Sequence, residues 1–266
     1  MNRLPTGFWR DASAGLHLFR SPDHACNYLP DREASTLFVD PLDSMDPVLF
    51  EYLLLQGFRR SGGHVYRPYC QRCDACLPVR VPVAHFSRGG GFRRIWRRNQ
   101  DLTVEVQPAS FTVESFDLYR RYLAARHGDG PMADPLPEDF VSFLIAPWSD
   151  TWFVAFRDSG GRLLMVAVVD RQPRALSAVY TFFEPEEKRR SLGSFAILWE
   201  IAEAARLGLS WVFLGYWIAQ CRSMRYKARF QPLEVRRGGV WTPLSEEEAI
   251  VNLEEANSGL QSEASD

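Results

Sequence analysis

The alternation of apolar and polar residues predicts secondary structure most clearly after about residue 100. Residues 113–127 place apolar side chains at helical spacing, which is typical of an amphipathic helix. Three runs rich in β-branched and aromatic residues follow at 151–158, 162–170 and 175–185, and turn residues separate them. We interpret these runs as three consecutive strands.

A second helix is predicted after Pro185, in a segment that ends at Gly208. Residues 209–217 then predict a further strand, and residues 229–244 predict another strand with a Gly-Gly turn. Strands, a central helix and more strands indicate an α/β (α+β) fold with a mixed sheet.

Composition changes near residue 100 and again near residue 245. The first hundred residues are rich in Pro, Gly, Arg and Cys, whereas the following segments are longer and more periodic. We therefore predict an N-terminal Cys/Arg-rich domain at 1–100, a second domain at 101–244, and an acidic tail at 245–266 that is disordered at its end.

Length and composition predict a globular protein of the cytoplasm. The 266 residues are 46% hydrophobic and 13% aromatic, enough for a substantial core. No apolar run approaches the roughly 20 residues of a membrane helix, and the first residues lack a secretory signal. Five cysteines, an odd number, argue against a disulfide framework and favour reduced thiols.

The formal net charge of −2 conceals a strong asymmetry along the chain. Residues 245–266 carry seven acids and no Lys or Arg, so the rest has 31 basic and 26 acidic residues, about +5. Residues 57–98 alone hold ten arginines against the single acid Asp74. This cluster predicts a polyanion-binding surface, which we place at Arg93 and Arg94 among others.

The start of the second predicted helix suits phosphate binding. Exposed N–H groups at a helix N-terminus attract anions, and here they follow the sequence RRSLGS, residues 189–194. The candidate phosphate ligands are Arg189, Arg190, Ser191 and Gly193. The order of strands and helix resembles the N-acetyltransferase-like (GNAT, acyl-CoA N-acyltransferase-like) core.

Five longer strings make a resemblance specific: CNYLP (26–30), GFRRSG (57–62), YRPYCQRCDACLPVR (66–80), RHGDG (126–130) and YKARFQPLE (226–234). Together they resemble the aminoacyl-tRNA–protein transferase family, which includes eukaryotic arginyltransferases and bacterial aspartate/glutamate leucyltransferases. The resemblance covers about residues 8–243. It implies a cysteine-bearing N-terminal domain joined to a GNAT-like domain. The C-x-x-C-x-x-C spacing resembles the bacterial branch.

The resemblance implies a reaction and its partners. Leucine moves from leucyl-tRNA to the α-amine of proteins that begin with Asp or Glu, which marks them for degradation by the N-degron (N-end rule) pathway. The donor ester is already activated, so transfer needs no cofactor. The site must place the two substrates, free the amine and stabilise an oxyanion.

Two residues are the candidates for the catalytic chemistry. Asp170 matches the aspartate of the family's V-x-D-x-x-P segment, and we expect it to hold or deprotonate the acceptor amine; the alternative is a turn-capping Asp. Tyr180, on the next strand, could hydrogen-bond the reacting carbonyl or the ribose, although such aromatic residues are commonly core.

Several further residues are candidates for substrate binding. Arg59 and Arg60 could bind the acidic side chain of the acceptor or tRNA phosphate, or could lie on a solvated hairpin. Tyr226 and Lys227 close the matched core, and Lys227 could meet phosphates or ribose. Trp217 could line the pocket for leucine or adenine. His127 suits acid–base chemistry or a helix C-terminus.

Four cysteines are possible metal ligands. Cys70, Cys73 and Cys76 supply three thiols, and Cys26 could be the fourth. This three-plus-one layout could hold a structural zinc or an iron–sulfur cluster, the latter associated with eukaryotic relatives, or it could be a packed loop. Cys221 is interpreted as an ordinary thiol.

Four functions stay open on the sequence. The main hypothesis is leucyl transfer from tRNA. Arginine could be the donor instead. A CoA-dependent GNAT acetyltransferase would leave the arginine-rich first hundred residues unexplained. A non-catalytic RNA-binding module with a zinc site would not need Asp170.

Overall fold

The computed structural model describes residues 8–11, 15–127, 134–245 and 247–248. Its strands, in chain order, are β1 (Phe8–Asp11), β2 (Leu16–Arg20), β3 (His24–Ala25), β4 (Glu33–Ala34), β5 (Thr36–Val39), β6 (Arg59–Ser61), β7 (His64–Pro68), β8 (Leu77–Pro82), β9 (Thr103–Pro108), β10 (Asp150–Arg157), β11 (Leu163–Arg171), β12 (Ala175–Phe183), β13 (Trp211–Trp217), β14 (Glu234–Arg237) and β15 (Val240–Pro243). Its helices are α1 (Pro47–Leu55), α2 (Gly90–Arg98), α3 (Val113–His127), α4 (Pro137–Leu144), α5 (Leu192–Arg206) and α6 (Arg222–Arg225).

The predicted mixed α/β architecture is confirmed. The helix predicted at 113–127 is α3, and the three predicted strands are β10, β11 and β12. The second predicted helix is α5, which begins later than Pro185, and β13 and the β14–β15 hairpin follow it as expected. The predicted disorder at the end of the acidic tail lies outside the described residues, as does most of the RHGDG string.

Two sheets organise the fold. A five-stranded sheet has the order β1-β2-β5-β7-β6, and an eight-stranded sheet has the order β15-β14-β8-β13-β12-β11-β10-β9. β8 pairs antiparallel with both β13 and β14, so residues 77–82 lie inside the larger sheet. The domain boundary near residue 100 stays a prediction, and β8 shows that strand pairing crosses it.

Helices cover both faces of the larger sheet. α5 packs on β12 and β13 and also contacts α2, whereas α3 packs on β11 and β12. The apolar residues divide accordingly into one core cluster under α5 and another under α3 and α4. A third cluster joins the five-stranded sheet and α1 to Ala175 and Phe213 of the larger sheet. No helix among the described residues is long and apolar enough to cross a membrane.

Local sequence explains where the important helices begin and end. Asp46 caps α1, because its carboxylate accepts a 2.8 Å hydrogen bond from the Leu49 N–H, and Pro47 follows at the first helical position. α5 begins after Ser191, whose backbone is left-handed at φ 55° and whose side chain makes no capping hydrogen bond. It ends before Gly208 at φ 69°, a conformation that favours glycine.

Candidate functional site

The site forms where two parallel strands of the larger sheet separate. β12 and β13 pair only through Ala175–Ser177 and Trp211–Phe213, and beyond these residues no pairing joins them. β12 also carries an irregularity in its pairing with β11, between the partners of Val168 and Val169. Such irregularities are common next to active sites. We call the gap beyond this pairing the β12–β13 split.

Arg59 reaches into the β12–β13 split from the five-stranded sheet. Its Nη2 donates a 2.7 Å hydrogen bond to the carbonyl of Ala178 on β12. On the other side, a Cβ added to Gly215 of β13 would lie 1.9 Å from Arg59 Nη1. Gly215, at φ 81°, therefore leaves the space that the guanidinium occupies.

Arg60 points the other way and is fully engaged. Side chains alternate across a strand, so the neighbours Arg59 and Arg60 of β6 leave opposite faces. Arg60 donates to both carboxylate oxygens of Asp170 at 2.6 and 2.7 Å. It also donates to the Leu144 and Gly62 carbonyls and to Thr151 Oγ1. The side chains of this pair are 1% and 0% exposed.

Asp170, which the sequence predicts as a catalytic carboxylate, is completely buried. Thr151 Oγ1 donates a third hydrogen bond to it, at 2.7 Å. With three donors and no exposure, the carboxylate positions Arg60 and contacts no solvent. The amine-binding role stays a prediction, but in this arrangement the carboxylate can reach an acceptor amine only if Arg60 moves.

Tyr180 belongs to an aromatic cluster under α3 and α4. Its ring packs against Tyr119, Tyr122 and Phe143, with centroids 6.2, 6.2 and 5.2 Å away. Burial raises the pKa of its hydroxyl well above the usual value. Neutral and aromatic-packed, Tyr180 can donate a hydrogen bond but is no base at neutral pH.

Lys227 and Tyr226 lie in the short helical segment Tyr226–Arg229 that follows α6, and Lys227 contacts β13, the other strand of the split. Lys227 Nζ donates a 2.7 Å hydrogen bond to the carbonyl of Tyr216 on β13. Burial, followed by the positive charge of Arg59, lowers the pKa of Lys227 to about 7. Tyr226 is 37% exposed. Burial and the negative charge of Glu200 raise its pKa to about 12. The structure thus brings Arg59, Tyr226 and Lys227 together.

Glu200 of α5 is the functional candidate that sequence reasoning missed. It interacts electrostatically with Arg59 and Tyr226 and is 0% exposed. A usable signal was present, because Ala196 and Ala204, one helical turn before and after it, are both apolar. A charge at such a position faces inwards.

The four candidate metal ligands line one cavity of about 710 Å³. Trp217 and Tyr28 also line it. Burial, and then Cys70, Cys26 and the other thiols, raise the pKa of Cys76 to about 12. Cys70 Sγ is 3.8 Å from the Ser35 carbonyl, and Cys26 Sγ is 3.5 Å from the Tyr28 N–H.

This cavity does not form a metal centre in the arrangement shown. Within the described residues, no three His, Cys, Asp or Glu side chains are grouped so that they could hold an ion. The thiols therefore share a cavity without the geometry of a zinc or cluster site.

A basic surface borders the N-terminus of α5. Arg93 and Arg94 are exposed on α2, and Phe92 and Ile95 bury its opposite side. Arg98 and Asn99 donate to the carbonyls of Arg189 and Arg190, so α2 is attached to the loop that opens α5.

The predicted phosphate ligands have different environments. Arg189 is exposed, whereas Arg190 pairs with Asp101 at 2.8 Å and with Glu187. Ser191 leaves the first N–H groups of α5 uncapped by its side chain. A Cβ on Gly193 would lie 3.3 Å from the Phe183 ring, so this glycine also serves close packing.

The side chain of His127 lies outside the described residues, so its predicted role is not assessed by the geometry. Cys221 Sγ is 3.2 Å from Ser223 Oγ, and its interpretation as an ordinary thiol stays a prediction.

These features define a class of protein. A splayed parallel strand pair, a helix that begins beside it and charged groups in the split are the features of an acyltransferase-like α/β fold. Comparisons with known proteins make the class specific. Residues 24–94 match the family described as "Arginine-tRNA-protein transferase, N terminus", and residues 114–237 match its C terminus. The chain belongs to this aminoacyl-tRNA–protein transferase family.

The alignment with two curated relatives covers almost the whole length of each relative. The chain is 51% identical over 231 residues to the aspartate/glutamate leucyltransferase of Alcanivorax borkumensis, across 87% of this chain and 95% of that protein. It is 50% identical over 232 residues to the enzyme of the same name from Pseudomonas putida, across 87% and 98%. The predicted resemblance to the bacterial branch is confirmed.

Among solved structures, L-PGS from Bacillus licheniformis aligns with a TM-score of 0.41 and 13% identity, over 63% of this chain and 48% of that one. A likeness of this size carries no functional argument.

Proposed function

We propose that this protein transfers leucine from leucyl-tRNA to the α-amine of proteins that begin with Asp or Glu. One observation carries the proposal: over 87% of this chain, about half of the aligned residues are identical to those of curated aspartate/glutamate leucyltransferases, and the alignments cover nearly the full length of those proteins. The product is a degradation signal of the N-degron pathway, and we place the enzyme in the cytoplasm.

The tRNA binds the basic surface beside α5. Arg93, Arg94 and Arg189 are exposed there, and the uncapped N-terminus of α5 supplies N–H donors for a phosphate. Trp217, which lines the cavity of the four cysteines and is 2% exposed, is a candidate wall for the terminal adenine or leucine.

Arg59, and not Arg60, binds the acidic side chain of the acceptor. Arg60 already has the Asp170 carboxylate as its partner, with both side chains buried. Arg59 has one described hydrogen bond, to Ala178, and lies in the split. A guanidinium pairs well with a carboxylate, so the unpaired arginine is the one suited to Asp or Glu.

Acyl transfer itself needs placement, a neutral amine and a stabilised oxyanion. The acceptor α-amine has an ordinary pKa of about 7.7–8.0, so a weak base suffices to free it. Lys227, with its pKa lowered to about 7, is neutral in part of the molecules at neutral pH and lies beside Arg59. It is the candidate proton acceptor, and the Arg59 charge favours the oxyanion.

The reaction requires no metal. A structural zinc or iron–sulfur site at Cys26, Cys70, Cys73 and Cys76 stays a prediction, and elemental analysis of protein purified without oxygen tests it.

A donor series tests the proposed function directly. Radiolabelled leucyl-tRNA, arginyl-tRNA and acetyl-CoA are each offered with peptides that begin with Asp, Glu or Ala. We expect label only from leucyl-tRNA and only on the acidic peptides. Transfer from arginyl-tRNA alone would identify an arginyltransferase, and transfer from acetyl-CoA alone would identify an acetyltransferase. Binding of tRNA without any transfer would support the non-catalytic RNA-binding module.

A further inference from the structure

Glu200 is a buried carboxylate without a hydrogen-bond partner among the described residues. It is 0% exposed, and neither Oε1 nor Oε2 has a donor within reach. An unpaired buried carboxyl group is strongly destabilising, because it loses water and gains nothing in return. Such a group calls for an explanation, and a ligand that supplies the partner is one.

The other buried carboxylates of the described structure all have partners, so the lack of a partner is specific to Glu200. Asp170, Glu51 and Glu184 are each at most 4% exposed in the described structure, and each has arginine partners. Those partners are Arg60 for Asp170, Arg174 for Glu51, and Arg121 and Arg162 for Glu184. Glu200 alone of these four has no such bond.

Trp217 has a second buried group without a partner. Its Nε1 has no acceptor among the described residues, and its ring packs in the core cluster that α5 covers. Glu200 can bind a cation, and the indole N–H can donate to an oxygen. An ammonium would satisfy the first group, and a carbonyl would satisfy the second.

We propose that Glu200 binds the α-ammonium group of the amino acid carried by the donor tRNA. The inference rests on the proposed function and adds a subsite to it. An aminoacyl ester has an α-ammonium next to its carbonyl, which is the pair of groups that Glu200 and Trp217 lack.

The acceptor amine is the wrong cation for this carboxylate. The acceptor must lose a proton before it attacks the ester, and a carboxylate beside it would stabilise the protonated, unreactive form. The donor ammonium takes no part in bond formation and can keep its charge. A carboxylate partner therefore favours the donor without slowing the nucleophile.

The position of Glu200 on α5 agrees with a donor that enters from the helix N-terminus. Ser191 and Glu200 are nine residues apart, which is about 14 Å along a helix. A phosphate at the start of α5 would place the terminal nucleoside along this helix and its amino acid deeper, towards Glu200. Tyr226 interacts electrostatically with Glu200 and is 37% exposed.

No covalent step is assigned to Glu200. Burial raises its pKa to about 8, so the free protein holds the carboxyl protonated at neutral pH. When the ammonium binds, the carboxyl loses this proton to solvent and becomes the anionic partner.

The test compares two donors in the full-length protein. Leucyl-tRNA is compared with tRNA that carries the 2-hydroxy analogue of leucine, in which a hydroxyl of similar size replaces the amine and cannot be positively charged. We expect Glu200→Gln to lose about 10- to 100-fold in kcat/KM with leucyl-tRNA, the range of one charge-assisted hydrogen bond. With the 2-hydroxy donor the same variant should stay within about twofold of wild type. Glu203→Gln, one turn along α5, is the matched control and should change neither.

Two outcomes would overturn the inference: an equal loss by Glu200→Gln with both donors, or no loss with leucyl-tRNA. Should the variant fail to fold, competition binding of the two donors to wild type decides. Tighter binding of the free-amine donor supports the inference, and equal binding contradicts it. Absence of leucine transfer by wild type would instead contradict the proposed function.

Discussion

Two buried carboxyl groups, Asp170 of β11 and Glu200 of α5, differ in one respect: only Asp170 has hydrogen-bond partners among the described residues. Asp170 receives three hydrogen bonds from Arg60 and Thr151. Glu200 receives none from the described residues. A buried acid with a full set of donors holds the protein together, whereas one without donors is available to a ligand. These two carboxyl groups are equally buried, so burial does not distinguish them. The number of hydrogen bonds that each one makes does.

The neighbouring arginines show the same contrast. Arg60 makes five hydrogen bonds in the described structure and joins β6 to α4, β10 and β11. Arg59 makes one, at the β12–β13 split. Side-chain alternation along β6 therefore places Arg60 in the architecture and leaves Arg59 as the arginine that we propose for the substrate.

Asp170→Asn should have the largest effect on stability. Removal of one charge from a buried ion pair leaves the other unpaired, and we expect a loss of about 3–5 kcal/mol in the free energy of unfolding. Urea denaturation measures it. Asp150→Asn is the control, because its contact with Arg171 is 3.9 Å long and half exposed, and it should change stability by less than about 0.5 kcal/mol.

The opposite outcome would restore the catalytic role predicted for Asp170. If Asp170→Asn folds with wild-type stability and loses turnover, the carboxylate acts on substrate and the comparison with Glu200 fails.

Charge reversal at exposed arginines of the basic surface should weaken tRNA binding and reduce its salt dependence. Arg93→Glu with Arg94→Glu should weaken leucyl-tRNA binding, and the slope of log affinity against log salt should become shallower by about two. Filter binding at several salt concentrations measures this. Arg120→Glu with Arg206→Glu, on exposed helix faces elsewhere, is the matched control and should leave the slope unchanged. An unchanged slope in the first variant would remove α2 from the tRNA surface.

The contributions of Glu200 and Lys227 to the free energy of unfolding should depend on pH in opposite directions. The pKa of Glu200 rises from 4.5 to about 8, so its contribution is complete below 4.5 and is lost as pH rises through 8. The pKa of Lys227 falls from 10.5 to about 7, so its contribution is complete above 10.5 and is lost as pH falls through 7.

Denaturation of wild type and variants across pH measures these two contributions. The difference between wild type and Glu200→Gln should change mainly on the acidic side of pH 8, and that for Lys227→Met mainly on the alkaline side of pH 7. Parallel curves for wild type and Glu200→Gln would show that this carboxyl group is not buried without a partner.

The sequence predicts local elements well, because their signals are local. The apolar spacing of residues 113–127 defines α3, and the turn residues separate β10, β11 and β12. The pairing of β8 with β13 joins residues 129 (Pro82 and Trp211) to 140 (Leu77 and Trp217) positions apart, and no local pattern encodes it.

The candidate site is predicted in part. The sequence identifies Arg59, Arg60 and Asp170 as a set of interest, but it cannot show that Arg60 and Asp170, 110 residues apart, neutralise each other. The sequence does not predict a role for Glu200, because an acidic residue inside a helix usually faces solvent. Only its tertiary surroundings show that it lacks a partner.

The most direct test of this account is the acceptor preference of Arg59→Gln. Leucine transfer from leucyl-tRNA is measured with peptides that differ only in an N-terminal Asp or Asn, with Arg120→Gln as the control. Wild type and the control should favour Asp by on the order of 10- to 100-fold, and Arg59→Gln should reduce this preference to about threefold or less. Full preference for Asp in Arg59→Gln would contradict the assignment of the β12–β13 split as the acceptor site.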